Sequence, residues 1–175
     1  QSGGDVNGTS TTGASTNTTL PFGTLSDGQI ETLAQRLNVT TNASNGYSVT
    51  VEYSGELQSS TGATIDGFID GSYTQTPVAW QSPTADINDD QSWGHWGITS
   101  TDGTTTRTAP DEFDPNEWAS GSTSPIVVMG HTQAADGTTE GVGSTTVGFQ
   151  IEISALQEAG SDYTTTIRYI ATPTF

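Results

Sequence analysis

An acidic run near the middle of the chain carries the side chains best suited to holding a metal ion. In the sequence DINDD, Asp86, Asn88 and Asp90 place oxygen ligands at alternating positions, as the first half of an EF-hand loop does. The EF-hand pattern then fails, because Gln91 stands where that loop needs glycine and Gly97 stands where it needs a bidentate glutamate. Alone, the run therefore indicates only part of a Ca²⁺ site.

A second acidic cluster lies further along the same segment and contains Asp111, Glu112, Asp114 and Glu117. Two interpretations are open. In the first, which is the more common situation, both clusters are solvated loops of an acidic protein. In the second, the two clusters share one Ca²⁺ ion, which relieves their mutual repulsion. The sequence requires no cofactor, and the ligands of such a Ca²⁺ ion would be Asp86, Asn88, Asp90, Asp111 and Asp114.

The tryptophans also lie in or beside this segment. Aromatic faces on a β-sandwich can stack on sugar rings of surface glycans, so a secreted carbohydrate-binding module is the main alternative to a structural role. Tryptophan also offers a very large area for burial, so these residues could instead form a small core of their own. We favour the small core over the sugar platform. The residues concerned are Trp80, Trp93, Trp96 and Trp118.

Catalytic motifs are absent from the sequence. His95 and His131 are its two histidines, and it contains neither a Gly-x-Ser-x-Gly elbow nor a His-Glu-x-x-His helix. No pair of carboxylates is singled out for glycoside hydrolysis. We therefore predict no catalytic residues and a protein that is not an enzyme. We expect His95 to pack or hydrogen-bond within its own segment.

The charge balance excludes two classes of partner. The chain has 175 residues, with 3 basic against 20 acidic side chains and a net charge of −17 at pH 7. Such a field repels nucleic acid and anionic lipid, so we expect neither as a partner. No apolar run approaches the roughly 18 residues of a transmembrane helix, so we expect no membrane span.

Other sequence features favour an extracellular protein. The chain has no cysteine, which excludes disulfides and thiolate chemistry but does not settle the compartment. It begins at Gln1 instead of methionine, which suits a mature form after removal of a signal peptide. We expect a secreted surface protein first and a protein from a salt-loving source second. Glycosylation sequons, which mildly favour export, begin at Asn7, Asn17, Asn38 and Asn42.

The elements that must position these residues are predicted to be β-strands. Across Leu37–Tyr53, apolar and polar residues alternate on both sides of a turn-forming Asn45-Gly46 pair, which predicts a β-hairpin. Residues 29–36 fit either helical or strand spacing, and we favour a strand that continues into the hairpin. Further strands are predicted at 63–69, 73–80, 125–130, 147–153 and 163–171.

Short strands in a chain of one-domain length predict an all-β protein, a single antiparallel β-sandwich of jelly-roll or Ig-like type. The sandwich is predicted to span residues 23–175. Residues 82–121 are long, irregular and acidic, and we expect them to form an insertion in which only 93–99 looks strand-like.

Residues 1–22 are predicted to form an extended N-terminal arm. Val6 is the one sizeable apolar side chain before residue 20, so the segment cannot bury enough surface to order itself. Leu20 and Phe22 point to the same side of an extended chain. The arm is therefore either a flexible tail or a segment that orders on another molecule.

Three motifs carry a resemblance to a known group. They are FGTLSDG, TTNASNGYSVTV and the terminal SDYTTTIRYIATPTF, which together cover about half of the chain. The chain resembles secreted prokaryotic β-sandwich surface proteins, including camelysin-like biofilm fibre proteins and archaeal donor-strand pilins. Residues 82–121 do not share the resemblance.

That resemblance implies a structural subunit of an extracellular filament or pilus at the cell surface. Copies of the chain would be each other's partners and would polymerise by donor-strand exchange, in which an extended segment of one subunit completes the sandwich of the next. The implied donor residues are Val6, Thr18, Leu20 and Phe22. Leu20 and Phe22 fit the first strand of their own domain equally well, so intramolecular pairing is an open alternative.

Overall fold

The computed structural model describes residues 4–102, 113–160 and 162–175. No helix within these ranges is long and apolar enough to cross a membrane. One turn of 3₁₀-helix, Asp90–Ser92, precedes β9. The strands in chain order are β1 (Asp5–Val6), β2 (Thr9–Ser10), β3 (Ile30–Asn38), β4 (Thr40–Thr41), β5 (Tyr47–Tyr53), β6 (Leu57–Gln58), β7 (Thr64–Gly67), β8 (Val78–Ala79), β9 (Gly94–Ser100), β10 (Glu117–Ser120), β11 (Ile126–His131), β12 (Ala135–Asp136), β13 (Ser144–Ile153) and β14 (Ile167–Pro173).

Two main sheets pack together, and the predicted all-β sandwich is confirmed. The larger sheet has the order β3-β13-β9-β10-β8, with β7 parallel to β9 and β6 paired with β7. The smaller sheet has the order β11-β5-β14. Two short ribbons, β1-β2 and β4-β12, complete the strand pairing among the described residues.

The core lies between the two sheets and follows from strand alternation. Along β5, every second residue is buried and the residues between are half-buried. Val147, Phe149 and Ile151 of β13 alternate in the same way and join the same core. Residues of this core from the other strands include Trp96, Ile98, Ile126, Val128 and Met129.

The larger sheet is covered on its second face as well, because β9 is buried at every residue. Consecutive residues of a strand point to opposite faces, so Trp96 turns into the core while His95 turns to the outer layer. That layer includes Phe68 and Trp80, whose rings stack with centroids 4.6 Å apart.

The predicted hairpin across Leu37–Tyr53 is wrong, although both of its strands are present. β3 pairs with β13 in the larger sheet, whereas β5 pairs with β11 and β14 in the smaller sheet. The residues between them carry the chain across the sandwich instead of turning it back. Gly46 has φ of 82°, and a Cβ there would lie 1.7 Å from the carbonyl oxygen of His131, so glycine is required at this crossing.

The predicted insertion at 82–121 is also incorrect in part. It contains β9, which lies between β13 and β10 near the centre of the larger sheet. The strand expected at 93–99 is therefore present, but as a central element. Of the strand expected at 73–80, the structure forms only Val78–Ala79.

A separate N-terminal arm is not seen among the described residues. β1 and β2 form a ribbon, and Val6 is completely buried. A Cβ on Gly148 would lie 2.8 Å from both methyl carbons of Val6, which places Val6 against the outer face of β13. The segment returns to the larger sheet at Asp27, which forms a bridge with Ile153.

Candidate functional site: the open side of the sandwich

The outer edge of β14 has no neighbouring strand in the part of the chain that the structure describes. Thr166 and Thr174, at the two ends of the strand, hydrogen-bond to residues flanking β5, so backbone groups of even-numbered residues point toward β5. Odd-numbered residues point their backbone groups away, and Pro173 is an outward position that lacks an N–H. The outward N–H groups of Ile167, Tyr169 and Ala171 pair with no described residue.

Side chains along β14 are also accessible. Ile170 is 40% exposed and Phe175, just beyond the strand, is 83% exposed. Arg168 donates to a carboxylate oxygen of Glu52 at 2.6 Å on the exposed face of the sheet. An edge with free donors and acceptors and exposed apolar side chains can accept a strand from another chain.

The edge of β3 lies on the same side of the sandwich, and the N-terminal segment covers part of it. The backbone N–H of Thr12 donates to the carbonyl oxygen of Thr32 at 2.8 Å. The amide of Gln35 donates to the carbonyl oxygen of Thr16 at 2.9 Å and its side-chain oxygen accepts from the Tyr169 hydroxyl at 3.2 Å. Gln35 therefore connects the N-terminal segment to β14.

The predicted donor residues divide into three environments. Val6 is buried on the outer face of the larger sheet. Leu20 and Phe22 are half-buried against the core of their own molecule. Thr18 is exposed at a turn in which the N–H of Thr16 donates to the carbonyl oxygen of Thr19. The structure does not bring the four together into one stripe.

The residues suggested for Ca²⁺ binding do not meet. Asp86 accepts hydrogen bonds from the backbone and side chain of Asn88, and Asp90 lies in the 3₁₀ turn before β9. Asp114 lies at the other end of β9, since Asn7 contacts both its carbonyl oxygen and Thr99.

Six residue steps separate the ends of β9, a distance of roughly 20 Å. Asp111 lies outside the described residues. Among the described residues, no group of three or more acidic or imidazole side chains is placed to hold a metal ion.

The predicted sequons differ in accessibility. Asn17, Asn38 and Asn42 are exposed. Asn7 is half-buried, and its amide nitrogen donates to Thr99 and Asp114 at 2.8 Å. A glycan on Asn7 would break both hydrogen bonds, so the exposed three are the better acceptors.

The four tryptophans do not form one small core of their own. Trp80 and Trp118 pack together in the outer layer, Trp96 lies in the core between the sheets, and Trp93 is half-buried. Trp80 stacks on Phe68 and meets Trp118 edge to face at 5.8 Å. His95 joins this group: its Nε2 lies 2.8 Å from the carbonyl oxygen of Gln81, and its Nδ1 lies 3.0 Å from Asp70 Oδ1 and 3.2 Å from the backbone nitrogen of Asp70. Burial lowers the pKa of His95, against the opposing effect of the Asp70 carboxylate, which favours the charged ring.

The sequence did not predict the cleft that lies beneath Trp96. Its walls include Tyr53 and Glu56, which lie three residues apart, and Tyr73 and Gly121 from other parts of the chain. Burial raises the pKa of Glu56 above its ordinary value, although the nearby dipoles of Tyr73 and Trp96 act in the opposite direction. Burial also raises the pKa of Tyr53.

No family model matches the chain, and neither a curated protein nor a solved structure matches it.

Proposed function

We propose that this protein is a structural, non-catalytic subunit of an extracellular filament, in which copies associate by β-strand addition. The observation that carries the proposal is the outer edge of β14, with free N–H groups at Ile167, Tyr169 and Ala171. An incoming strand would satisfy these groups and cover Ile170. A head-to-tail contact between copies generates a fibre when the rotation between them does not close into a ring.

The N-terminal segment of a neighbouring copy is the proposed incoming strand. It already lies on this side of the sandwich, where Thr12 and Thr16 form backbone contacts with β3 and Gln35. Leu20 and Phe22 are only half-buried there. Release of the segment breaks these contacts and uncovers Leu20 and Phe22, so exchange requires that a neighbouring copy restores the same contacts.

A proline on the free edge tests strand addition. Ala171→Pro removes an N–H that pairs with no described residue, so the monomer should keep its fold, while an added strand loses one backbone hydrogen bond and meets the proline ring. We expect fibres of the wild type in negative-stain electron microscopy and monomers of the variant.

Ala155→Pro is the matched control for that variant. Ala155 is an exposed alanine at the second position of the turn closed by Gln157 and Ser154, a position that proline favours. This control should form fibres like the wild type. Fibres from Ala171→Pro, or none from the wild type under any condition that keeps it folded, would contradict strand addition at β14.

A reversible cross-link tests exchange of the N-terminal segment. Thr12→Cys with Thr32→Cys introduces the only two thiols of the chain, at residues already joined by backbone hydrogen bonding. The oxidised protein should remain monomeric because its segment cannot leave, and reduction should restore fibre growth. Equal fibre growth from the oxidised and reduced forms would show that the segment stays in place.

A further inference from the structure

The cleft beneath Trp96 is a second candidate site, unrelated to strand addition. It has a volume of about 410 Å³, which lies in the range of small-ligand pockets. Tyr53 and Trp96 meet at its wall with ring centroids 4.4 Å apart and planes at 61°. Gly121 makes room for the Tyr53 ring, since a Cβ at that position would lie 1.7 Å from it.

Three polar atoms of the cleft lining are buried without a partner. They are the Tyr53 hydroxyl, Glu56 Oε2 and Trp96 Nε1, none of which makes a hydrogen bond of normal length and angle among the described residues, although Trp96 and Tyr73 lie near enough to Glu56 to lower its pKa. Tyr53 and Trp96 are 4% and 2% exposed. Buried polar atoms in proteins are nearly always paired, so three unpaired atoms around one cavity indicate a missing hydrogen-bonding group.

We propose that this cleft binds a neutral sugar residue, a hexose or N-acetylhexosamine. Trp96 Nε1 can only donate, ionised Glu56 Oε2 can only accept, and the Tyr53 hydroxyl can do both. A sugar hydroxyl also donates and accepts, so adjacent hydroxyls of one ring can satisfy all three atoms. The apolar face of the same ring can lie against Tyr73, the partly exposed aromatic side chain of the lining.

An organic cation is the main competing ligand, because aromatic rings with a carboxylate also bind ammonium groups. A cation would suit Glu56 and the negative charge of the chain. It offers no acceptor of its own to Trp96 Nε1, however, and would draw on the same Glu56 carboxylate that lies beside that N–H. The unpaired indole N–H therefore favours the neutral sugar.

This site differs from a platform of exposed tryptophans. Trp96 is almost fully buried and presents the polar edge of its indole, so recognition depends on hydrogen bonding within the cleft. It also does not depend on filament assembly, because β14 backbone groups take no part in it.

Indole N–H resonances in ¹⁵N-labelled protein test the proposal. Trp96→Phe assigns the Trp96 signal by its disappearance. The wild type is then titrated separately with methyl α-glucoside, methyl β-galactoside, methyl α-mannoside and N-acetylglucosamine, each to about 50 mM, well above a weak Kd of about 1 mM. At least one sugar should shift the Trp96 indole signal while the Trp93 and Trp118 signals stay in place.

Two variants and one control identify the contacts. Tyr53→Phe and Glu56→Gln should each weaken binding of the active sugar about tenfold, the loss expected for one hydrogen bond. Trp93→Phe is the matched control, since the Trp93 Nε1 already donates to the carbonyl oxygen of Asp86 at 2.8 Å. The Kd of Trp93→Phe for the active sugar should remain within about twofold of the wild-type value.

Three results would overturn the proposal. One is a Trp96 signal that none of the four sugars moves. Another is a Trp96 signal that moves with tetramethylammonium chloride but with no sugar, which would assign the cleft to cations. The third is an unchanged sugar affinity in both Tyr53→Phe and Glu56→Gln, which would place the sugar elsewhere.

Discussion

Two aromatic groups lie on opposite faces of β9, and they differ in how their polar atoms are paired. In the outer group, Trp80 Nε1 donates to Glu152 at 2.7 Å, and both nitrogens of His95 have partners. In the inner group, around the cleft, Trp96 Nε1 and the Tyr53 hydroxyl have no hydrogen bond of normal geometry to any described residue. Both groups combine aromatic rings with a carboxylate.

This difference in hydrogen bonding indicates that similar residues can either stabilise the fold or line a binding site. Where each buried donor and acceptor is paired, the group stabilises the fold and fixes its geometry. Where they are unpaired, the protein carries a desolvation cost that a ligand can remove. Residue type alone does not separate the two cases, whereas hydrogen-bond pairing does.

The largest expected effect is at His95. His95→Ala leaves the Gln81 carbonyl and the Asp70 N–H without their partner and opens a cavity, so we expect the free energy of unfolding to fall by about 3 kcal/mol. Urea denaturation measures this. His131→Ala is the control, because His131 bonds only to nearby Gln133, and it should change stability by less than about 0.5 kcal/mol.

Replacing one tryptophan by phenylalanine in each group tests the difference in hydrogen bonding between the two groups. Trp80→Phe removes a hydrogen bond to Glu152 and leaves that buried carboxylate short of a donor, whereas Trp96→Phe removes an unpaired N–H. The loss of ring volume is common to both. We therefore expect Trp80→Phe to cost about 2 kcal/mol more than Trp96→Phe in urea denaturation. Equal costs would remove the distinction between the groups.

Tyr53→Phe should have a smaller effect of opposite sign. It deletes a buried hydroxyl that has no partner and keeps the ring contact with Trp96. We expect stability to be unchanged or to rise by up to about 1 kcal/mol in the same assay. A loss of more than about 1 kcal/mol would mean that the hydroxyl is paired in solution.

The pH dependence of stability should have opposite signs in the two groups. The pKa of His95 in the folded protein is below its ordinary value of 6.5. The contribution of neutral His95 to the free energy of unfolding is therefore complete above pH 6.5 and is lost as the pH falls below that value. Glu56 has a folded pKa above 4.5, so its ionised form destabilises the protein at neutral pH, and this penalty disappears as the pH falls toward 4.5.

Melting temperatures from pH 8 to pH 4 separate these contributions. Relative to the wild type, His95→Gln should weaken the decline below pH 6.5. Glu56→Gln should be more stable than the wild type at pH 7, and the difference should vanish near pH 4.5. Parallel curves for all three proteins would contradict both assignments.

The sequence predicted strands well where one face is buried. Alternation in β5 and β13 identified their core residues, and the all-β sandwich followed from them. Alternation does not specify which strands pair with each other. The sequence therefore predicted a hairpin of β3 and β5, although the two strands belong to different sheets. Strand β9 was only partly visible, because it is buried on both faces and glycines at 94 and 97 interrupt its pattern.

The candidate sites were less predictable for a related reason. The cleft joins Tyr53, Trp96 and Gly121, which come together only after the sheets pack. The β14 edge depends on which strands lack a second neighbour, a property of the sheet order and not of local sequence. Composition singled out Val6 as the sizeable apolar side chain of its segment, but the position of Val6 against β13 was not predicted.

The adjacency of His95 and Trp96 on β9 has a consequence for folding. Because side-chain direction reverses at each residue, a slip of one position would place the imidazole in the apolar core and the indole in the polar outer layer. Seven successive pairs with β13 hold β9 against such a slip. Misaligned forms should therefore be strongly disfavoured, and the inner and outer aromatic groups should form together in a single cooperative step.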